Sequence, residues 1–236
     1  MKIIPVKTKV FNEGDDLVAF IKKNIPRIPE RAILVVTSKI VALSERRTAI
    51  VKTEKEKERL IKKESQWAIR TKYVWLTIRD GMVMASAGID ESNAKGKLIL
   101  LPRDSFAAAA SLRKELRTFY KVNHLGVVVT DSRLLPLRNG VVGVALGYAG
   151  FKGIKDYRGT PDIFGRKFQF SKTDIADSVA TAAVLTMGEG RERQPLAVVT
   201  DAPVTFTGRV NRHELEIDIK EDLYRPLFNH IPRSGV

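Results

Sequence analysis

Residues 73–87 read Tyr-Val-Trp-Leu-Thr-Ile-Arg-Asp-Gly-Met-Val-Met-Ala-Ser-Ala, two apolar and β-prone runs on either side of Arg79-Asp80-Gly81. Asp-Gly between such runs suits a tight type I′ turn, whose two central residues both need positive φ. The stretch predicts a β-hairpin and argues against a purely parallel sheet. Its second arm delivers the chain to Gly88-Ile89-Asp90-Glu91-Ser92-Asn93. About forty residues later a second apolar run, 125–129, ends in Thr130-Asp131-Ser132. Each site places a carboxylate, with hydroxyl or amide neighbours, just past a stretch that reads as a buried strand. Hard cations such as Mg²⁺ are held by one or two carboxylates plus substrate phosphate oxygens, so the pair suits a metal–nucleotide site. The same residues also read as an ordinary turn and a helix cap.

Elsewhere, residues 3–6 read as a short strand. A helix begins after Asn12-Glu13-Gly14-Asp15-Asp16, with Leu17, Val18, Phe20 and Ile21 as its apolar stripe up to Pro26. Residues 32–36 are continuously apolar and end in Thr37-Ser38-Lys39, the pattern of a buried strand. Residues 53–70 predict one charged helix, 105–120 an alanine-rich helix, 141–145 a strand, 174–187 a second alanine-rich helix and 196–200 a last strand. Gly188 is a natural helix stop. The tail, 201–236, is polar and mixed, with no role legible in it.

The 236 residues suffice for one large domain or two small ones, and the shares of 44% hydrophobic and 29% charged residues are those of a globular chain. No apolar stretch is long enough to span a bilayer, and the N-terminus does not read as a secretory signal. With no cysteine there is no disulfide framework, thiolate nucleophile or Cys-ligated zinc. A cytoplasmic location is the default expectation. The net charge of +14 favours polyanionic partners: nucleic acid, an anionic membrane surface, or phosphorylated and carboxylated small molecules. Yet between residues 52 and 63 the lysines alternate with glutamates, as on a solvated helix face, and aromatics make up 7% of the chain with no nucleic-acid motif among them. Nucleic acid is not the expected partner.

No Walker-type loop, dinucleotide-binding Gly-x-Gly-x-x-Gly or nucleophile elbow is present. His124, His213 and His230 lack metal-ligand spacing. Glu189, between Gly188 and Gly190, is an exposed acid or a metal ligand. Lys39 is a surface lysine or a phosphate partner. The glycines between 140 and 165 are turns and packing residues or a phosphate cradle.

Taken in order, these pieces resemble the coenzyme F-420-0:γ-glutamyl ligase family. The resemblance rests on Glu13-Gly14-Asp15-Asp16-Leu17, Val35-Val36-Thr37-Ser38-Lys39-Ile40-Val41, Gly88-Ile89-Asp90-Glu91-Ser92-Asn93 and Val128-Val129-Thr130-Asp131-Ser132. It continues through Gly140 to Gly147, Lys155-Asp156-Tyr157-Arg158-Gly159, Asp162 to Arg166, Ile175-Ala176-Asp177 and Met187-Gly188-Glu189-Gly190, covering about residues 3–200. It implies a mixed-sheet, two-lobed α+β fold across residues 1–236, an intertwined homodimer, and addition of L-glutamate to a carboxylate of a deazaflavin coenzyme precursor or a folate. It also implies GTP or ATP as co-substrate, Mg²⁺ or Mn²⁺, and K⁺ as a further cation. Asp90 and Asp131 would then be the catalytic metal-ligand pair, with Ser132 and Glu189 completing the metal site. Lys7, Thr8, Lys9, Val10, Ser38, Lys39, Asn93, Met187, Gly188 and Gly190 would contact the nucleotide.

The chain departs from the family pattern in three places. Ser132-Arg133-Leu134-Leu135-Pro136-Leu137-Arg138 lacks the usual Gly-Arg pair, Ser178 follows Ala176-Asp177 where an acid is usual, and Leu43 stands where a lysine is expected. These departures leave acceptor and nucleotide specificity open. They also leave open a non-catalytic or repurposed relative that binds polyanions such as nucleic acid.

Overall fold

The computed structural model describes residues 1–92, 94 and 96–228. Along the chain come β1 (Lys2–Val6), α1 (Leu17–Asn24), β2 (Ala32–Thr37), α2 (Ser38–Ser44), β3 (Thr48–Ala49) and α3 (Glu54–Lys63). Next are β4 (Trp67–Arg70), β5 (Trp75–Arg79), β6 (Met82–Ala85), β7 (Leu98–Ile99) and α4 (Ser105–Tyr120). The last are β8 (Leu125–Leu134), β9 (Val141–Ala149), β10 (Ile154–Asp156), β11 (Lys172–Asp174), α5 (Ile175–Met187) and β12 (Leu196–Thr200).

The main sheet has the order β1-β12-β2-β8-β9. Only β2 and β8 pair in parallel; the other three junctions are antiparallel, so the fold is α+β with a mixed sheet. β2 is buried on both faces, which explains its unbroken apolar run. Ala32, Leu34 and Val36 pack with Leu17 and Ile21 of α1 and with Ala109, Leu112 and Leu116 of α4. Ile33 and Val35 join Ala176, Val179, Ala180, Ala183 and Met187 of α5 on the opposite face. The helices start where short acceptors stand. Asp16, Thr53, Asp104 and Asp174 each accept a hydrogen bond from a backbone N–H three residues on, satisfying a donor the helix itself cannot.

The hairpin forms where expected: Arg79 pairs with Met82, and Asp80 (φ 50°) and Gly81 (φ 72°) make the turn. It belongs to a three-stranded meander, β4-β5-β6. The single helix expected over 53–70 is corrected here. α3 ends at Lys63, and residues 67–70 form β4 against β5. Glu64, just past the helix, is captured by Arg47 and by Arg79 of β5 (2.5 and 2.9 Å), which turns the chain back onto the hairpin. Two further expectations change. The polar residues after β2 start a short helix, α2, whose Ile40, Val41 and Ala42 are buried. Asp131 stands inside a strand, since β8 runs on to Leu134 and pairs Asp131 with Val144 beyond a register shift.

Close approach fixes one glycine. A Cβ on Gly147 of β9 would lie 2.4 Å from the Ser105 carbonyl carbon at the start of α4, whereas one on Gly208 would meet nothing. Gly147→Ala is expected to lower the free energy of unfolding by about 3 kcal/mol, as overpacking against backbone does, and Gly208→Ala by almost nothing. Urea unfolding of both variants checks this, and equal midpoints would refute it.

Candidate functional site

The parallel pairing of β2 with β8 runs to Thr37 opposite Thr130, so the carboxyl end of β2 lies beside the strand that carries Asp131. Crevices outside the carboxyl ends of strands are the usual ligand positions in such sheets. Ser38 and Lys39 open α2 at this end, Ser38 buried and Lys39 reaching outward.

Lys39 Nζ lies 2.6 Å from Asp90 Oδ2 and donates to the hydroxyl (3.0 Å) and carbonyl (3.2 Å) oxygens of Ser92. Asp90 also accepts from the Ser92 backbone N–H (2.6 Å) and hydroxyl (3.0 Å). Burial works to raise the Asp90 pKa, but Lys39 and the Ser92 donors outweigh it and hold the carboxyl below its ordinary value. The approach to Asp90 is strained: Ser86 (φ 47°) and Ala87 (φ 56°) are both left-handed without being glycine. What holds them is the buried Thr77 hydroxyl, which accepts from Ala87 N–H (2.9 Å) and donates to the Met84 carbonyl (2.7 Å). Asp90 is then fixed by two backbone hydrogen bonds to Ile99 (2.9 and 2.8 Å).

On β8, alternation sends Asp131 and Arg133 to one face and Ser132 to the other. Arg133 is ion-paired with Asp131, and the Ser132 hydroxyl donates to Glu189 Oε1 (2.5 Å) beyond α5. Glu189 is presented by a loop folded around Glu192, whose carboxylate accepts from Gly190 N–H (2.8 Å) and fills the space against Gly188 (φ 80°). Met187 is buried in the core. Lys7, Lys9 and Val10 are exposed, whereas Thr8 is buried and its N–H donates to the Arg193 carbonyl (2.9 Å), so this stretch borders the same loop. Asn93 lies outside the described residues.

The structure thus gathers the sequence candidates into three contact groups: Lys39, Asp90 and Ser92; Ser132 with Glu189; and, on the other face of β8, Asp131 with Arg133, which sequence reasoning passed over. Its signal was its position two residues after Asp131 on one strand, the spacing that shares a face. Among the described residues no three His, Asp or Glu side chains converge as a metal cage. Single carboxylates flanked by hydroxyls fit a hard ion whose remaining ligands are water and substrate phosphate oxygens. Asp90 and Asp131 are the residues that would hold it, and Glu189 with the Ser132 hydroxyl, on the other face of β8, offers a further pair of oxygen ligands. Two cavities, of about 540 and 650 Å³, lie elsewhere: one beside Asp16, Glu45 and Asp104, the other beside Asp174, Asp177 and Thr181.

Its sequence places the chain in a class of ligases. The sequence model of the F420-0:γ-glutamyl ligase family matches residues 5–201, and the chain belongs to that family. Among its relatives, the coenzyme F420:L-glutamate ligase of Methanopyrus kandleri is 33% identical over 214 residues, 83% of this chain and 84% of the relative. The enzymes of the same name from Archaeoglobus fulgidus and Methanococcus maripaludis are 29% and 28% identical, each over 95% of this chain and over 96% and 97% of the relative.

One carboxylate pair, at the start of α5, responds to pH. Asp174 caps α5 and is pushed up to about 6, by burial first and by the neighbouring Asp177 charge, against the Asp177 N–H that favours ionisation. Burial also raises Asp177, against the Ala145 N–H (2.8 Å), Asp174 and the charge of Arg133. The folded state therefore binds protons more tightly than the unfolded chain. The pair's contribution is full below about pH 4, the unfolded aspartate value, and is lost as pH rises through about 6. Asp174→Asn keeps the cap acceptor and removes the charge. It is expected to be more stable than the parent at pH 7–8, on the order of 1 kcal/mol, with the gap closing near pH 4. Melting curves across that range check it; parallel curves would refute it.

Proposed function

We propose that this chain joins L-glutamate to a carboxylate of a coenzyme F420-0-like or folate-like acceptor, using GTP or ATP and Mg²⁺ or Mn²⁺. The observation that carries this reading is the Lys39–Asp90–Ser92 cluster beside the β2 carboxyl end, adjacent to the strand bearing Asp131, within a chain of this family. A carboxylate is a poor electrophile. Phosphoryl transfer from the nucleotide converts it to an acyl phosphate with release of the nucleoside diphosphate. The glutamate amine then attacks the acyl carbon, inorganic phosphate leaves, the amine loses its proton and the amide forms. Asp90 and Asp131 would hold a divalent ion, which would supply charge neutralisation on the phosphate oxygens. Ser38 and Lys39, the 7–10 stretch and the loop from Met187 through Gly190 would border the nucleotide, with Lys39 poised to pass from Asp90 to a phosphate. The basic surface would gather three anionic reactants. The reading includes a single ligase domain whose three-stranded meander serves as the second lobe, and a cytoplasmic location.

The expected product is the acceptor with one or more added glutamates, seen by mass spectrometry after incubation with nucleotide, metal, glutamate and each acceptor. Asp90→Asn and Asp131→Asn should each lower ligation at least a hundredfold with the melting temperature little changed, and the double variant should be little worse than either single, as for residues acting as a unit. Near-parent turnover by Asp90→Asn would refute the site. Salt-sensitive nucleic-acid binding without acceptor-dependent nucleotide hydrolysis would favour the polyanion-binding relative instead.

The homodimer belongs to the same reading, and it is supported by apolar side chains left in solvent. Ile163, Phe164 and Phe170 between β10 and β11, Leu185 of α5 and Leu137 are all more than four-fifths exposed. Such residues mark interaction surfaces when they gather in patches. Light scattering should give twice the 26.4 kDa chain mass, and Ile163→Asp with Phe164→Asp should return the monomer. A parent mass near that of one chain would refute the dimer.

A further inference from the structure

The register shift between β8 and β9 falls one residue before Asp131. Val129 pairs with Gly147 but Thr130 pairs with Ala145, so Leu146 is an extra residue on β9. Such a bulge bends its strand and re-aims the side chains around it. Ala145 turns to the α5 layer, whereas Leu146 packs with Met84 of β6 and with Leu101. Met84 Sδ lies 3.6 Å from Nη2 of Arg133, the guanidinium paired with Asp131. Leu101 is the side chain that a Cβ on Gly88 would meet, on the approach to Asp90. The extra residue therefore touches the supports of both candidate carboxylates.

Three side chains hold the bulge. β9 is an edge of the main sheet, so alternate backbone groups of it point away from β8. α5 covers them: Asp177 Oδ1 accepts from Ala145 N–H (2.8 Å), and the Thr181 hydroxyl donates to the Gly143 carbonyl (2.6 Å). From β8, the hydroxyl of buried Thr130 donates to the Val144 carbonyl (2.9 Å). The charge of Arg133 also acts on Asp177. β2 leaves β8 at Thr130, so Asp131 through Leu134 are paired with β9 alone. Whatever fixes β9 at the bulge thus fixes the backbone that carries Asp131 and Ser132.

We propose that Asp177 is a positioning residue of the site: its carboxylate pins the β9 bulge, and the pinned bulge sets the register at which β8 presents Asp131 and Ser132. This rests on the reading that Asp90 and Asp131 serve one metal–nucleotide site. Asp177 acts as a hydrogen-bond acceptor here. Without it the buried Ala145 N–H is left unpaired, and the bulge loses what favours its present place over a neighbouring one.

Mn²⁺ binding to the full chain in the presence of GDP, read from the electron paramagnetic resonance of the free ion, tests this without relying on turnover. Asp177→Asn, whose amide oxygen can still accept from Ala145, should bind nearly as the parent does. Asp177→Ala should bind about tenfold to a hundredfold more weakly, the usual cost of losing a group that orients a metal ligand. Thr130→Ser and Thr130→Val form a second pair, the first keeping the donor to Val144 and the second losing it, and should divide in the same way. Leu116→Ala removes a core side chain that makes none of these contacts, and should lower the melting temperature with Mn²⁺ affinity unchanged. Parent-like binding by Asp177→Ala, or a loss in Asp177→Asn as large as in Asp177→Ala, would overturn the pinned bulge and leave the metal site standing. An equal loss in Leu116→Ala would reduce the effect to stability and also refute the positioning role. A parent that binds no Mn²⁺ would remove the site reading and the inference with it. Should Asp177→Ala fail to fold, the Thr130 pair decides on the same terms.

Discussion

The six registered pairs from Ala32–Leu125 to Thr37–Thr130 are the constraint on which the rest of this structure depends. A parallel ladder cannot be closed by a tight turn, so a long crossover must separate its strands, and here that crossover carries the meander, Asp90 and α4. Both strands are buried on both faces, which obliges α1 and α4 to cover one side and α5 the other. The same pairing aligns the strands' direction, so that Ser38 and Lys39 leave β2 beside Asp131. Shifting the register by one residue would turn every apolar side chain of β2 to the opposite layer and separate these groups.

Strain sits where the crossover returns to the site. Two successive non-glycine residues in the left-handed region cost of order 1–3 kcal/mol each, and such a cost persists only where surrounding structure over-determines it. Thr77 provides part of that determination, because its buried hydroxyl is satisfied as donor and acceptor by the two ends of the turn. Gly88 provides another part: a Cβ there would come within 2.7 Å of Leu101. The turn therefore places Asp90 against Lys39 through packing rather than through the charge attraction alone. An exposed ion pair by itself contributes too little to hold such a geometry.

How much of this was legible followed from how local each cause was. The Asp80-Gly81 hairpin, the buried runs of β2, β8 and β12 and the starts of α1 and α5 are set by neighbours within a few residues, and pattern reading found them. The end of α3 was not legible, because what stops it is Glu64 reaching Arg47 and Arg79, partners 17 and 15 residues away. The polar stretch Thr130-Asp131-Ser132 read as a loop because its strand identity depends on β9, which pairs with it only after the chain reverses. At the site, residue types and family resemblance pointed to Asp90, Asp131, Ser132 and Glu189. Their grouping was not legible, since it depends on which face of β8 each side chain takes and on the fold of the Gly188–Gly190 loop.

The excess of 41 basic over 27 acidic residues acts at a different range from the site's own pairs. Exposed charges farther apart than about 10 Å are largely screened at ordinary ionic strength, so most of these lysines and arginines influence how fast an anion arrives rather than how it sits. The short-range balance is set by Lys39 against Asp90 and Arg133 against Asp131, with Glu189 held by a neutral hydroxyl. Two acids are thus matched by two bases within contact distance. Under the proposed reading, an arriving triphosphate would bring several negative charges to a place whose contact pairs leave no spare positive charge, and an added cation would ease its close approach. The matched pairs would then give even a chain this basic a use for a metal ion.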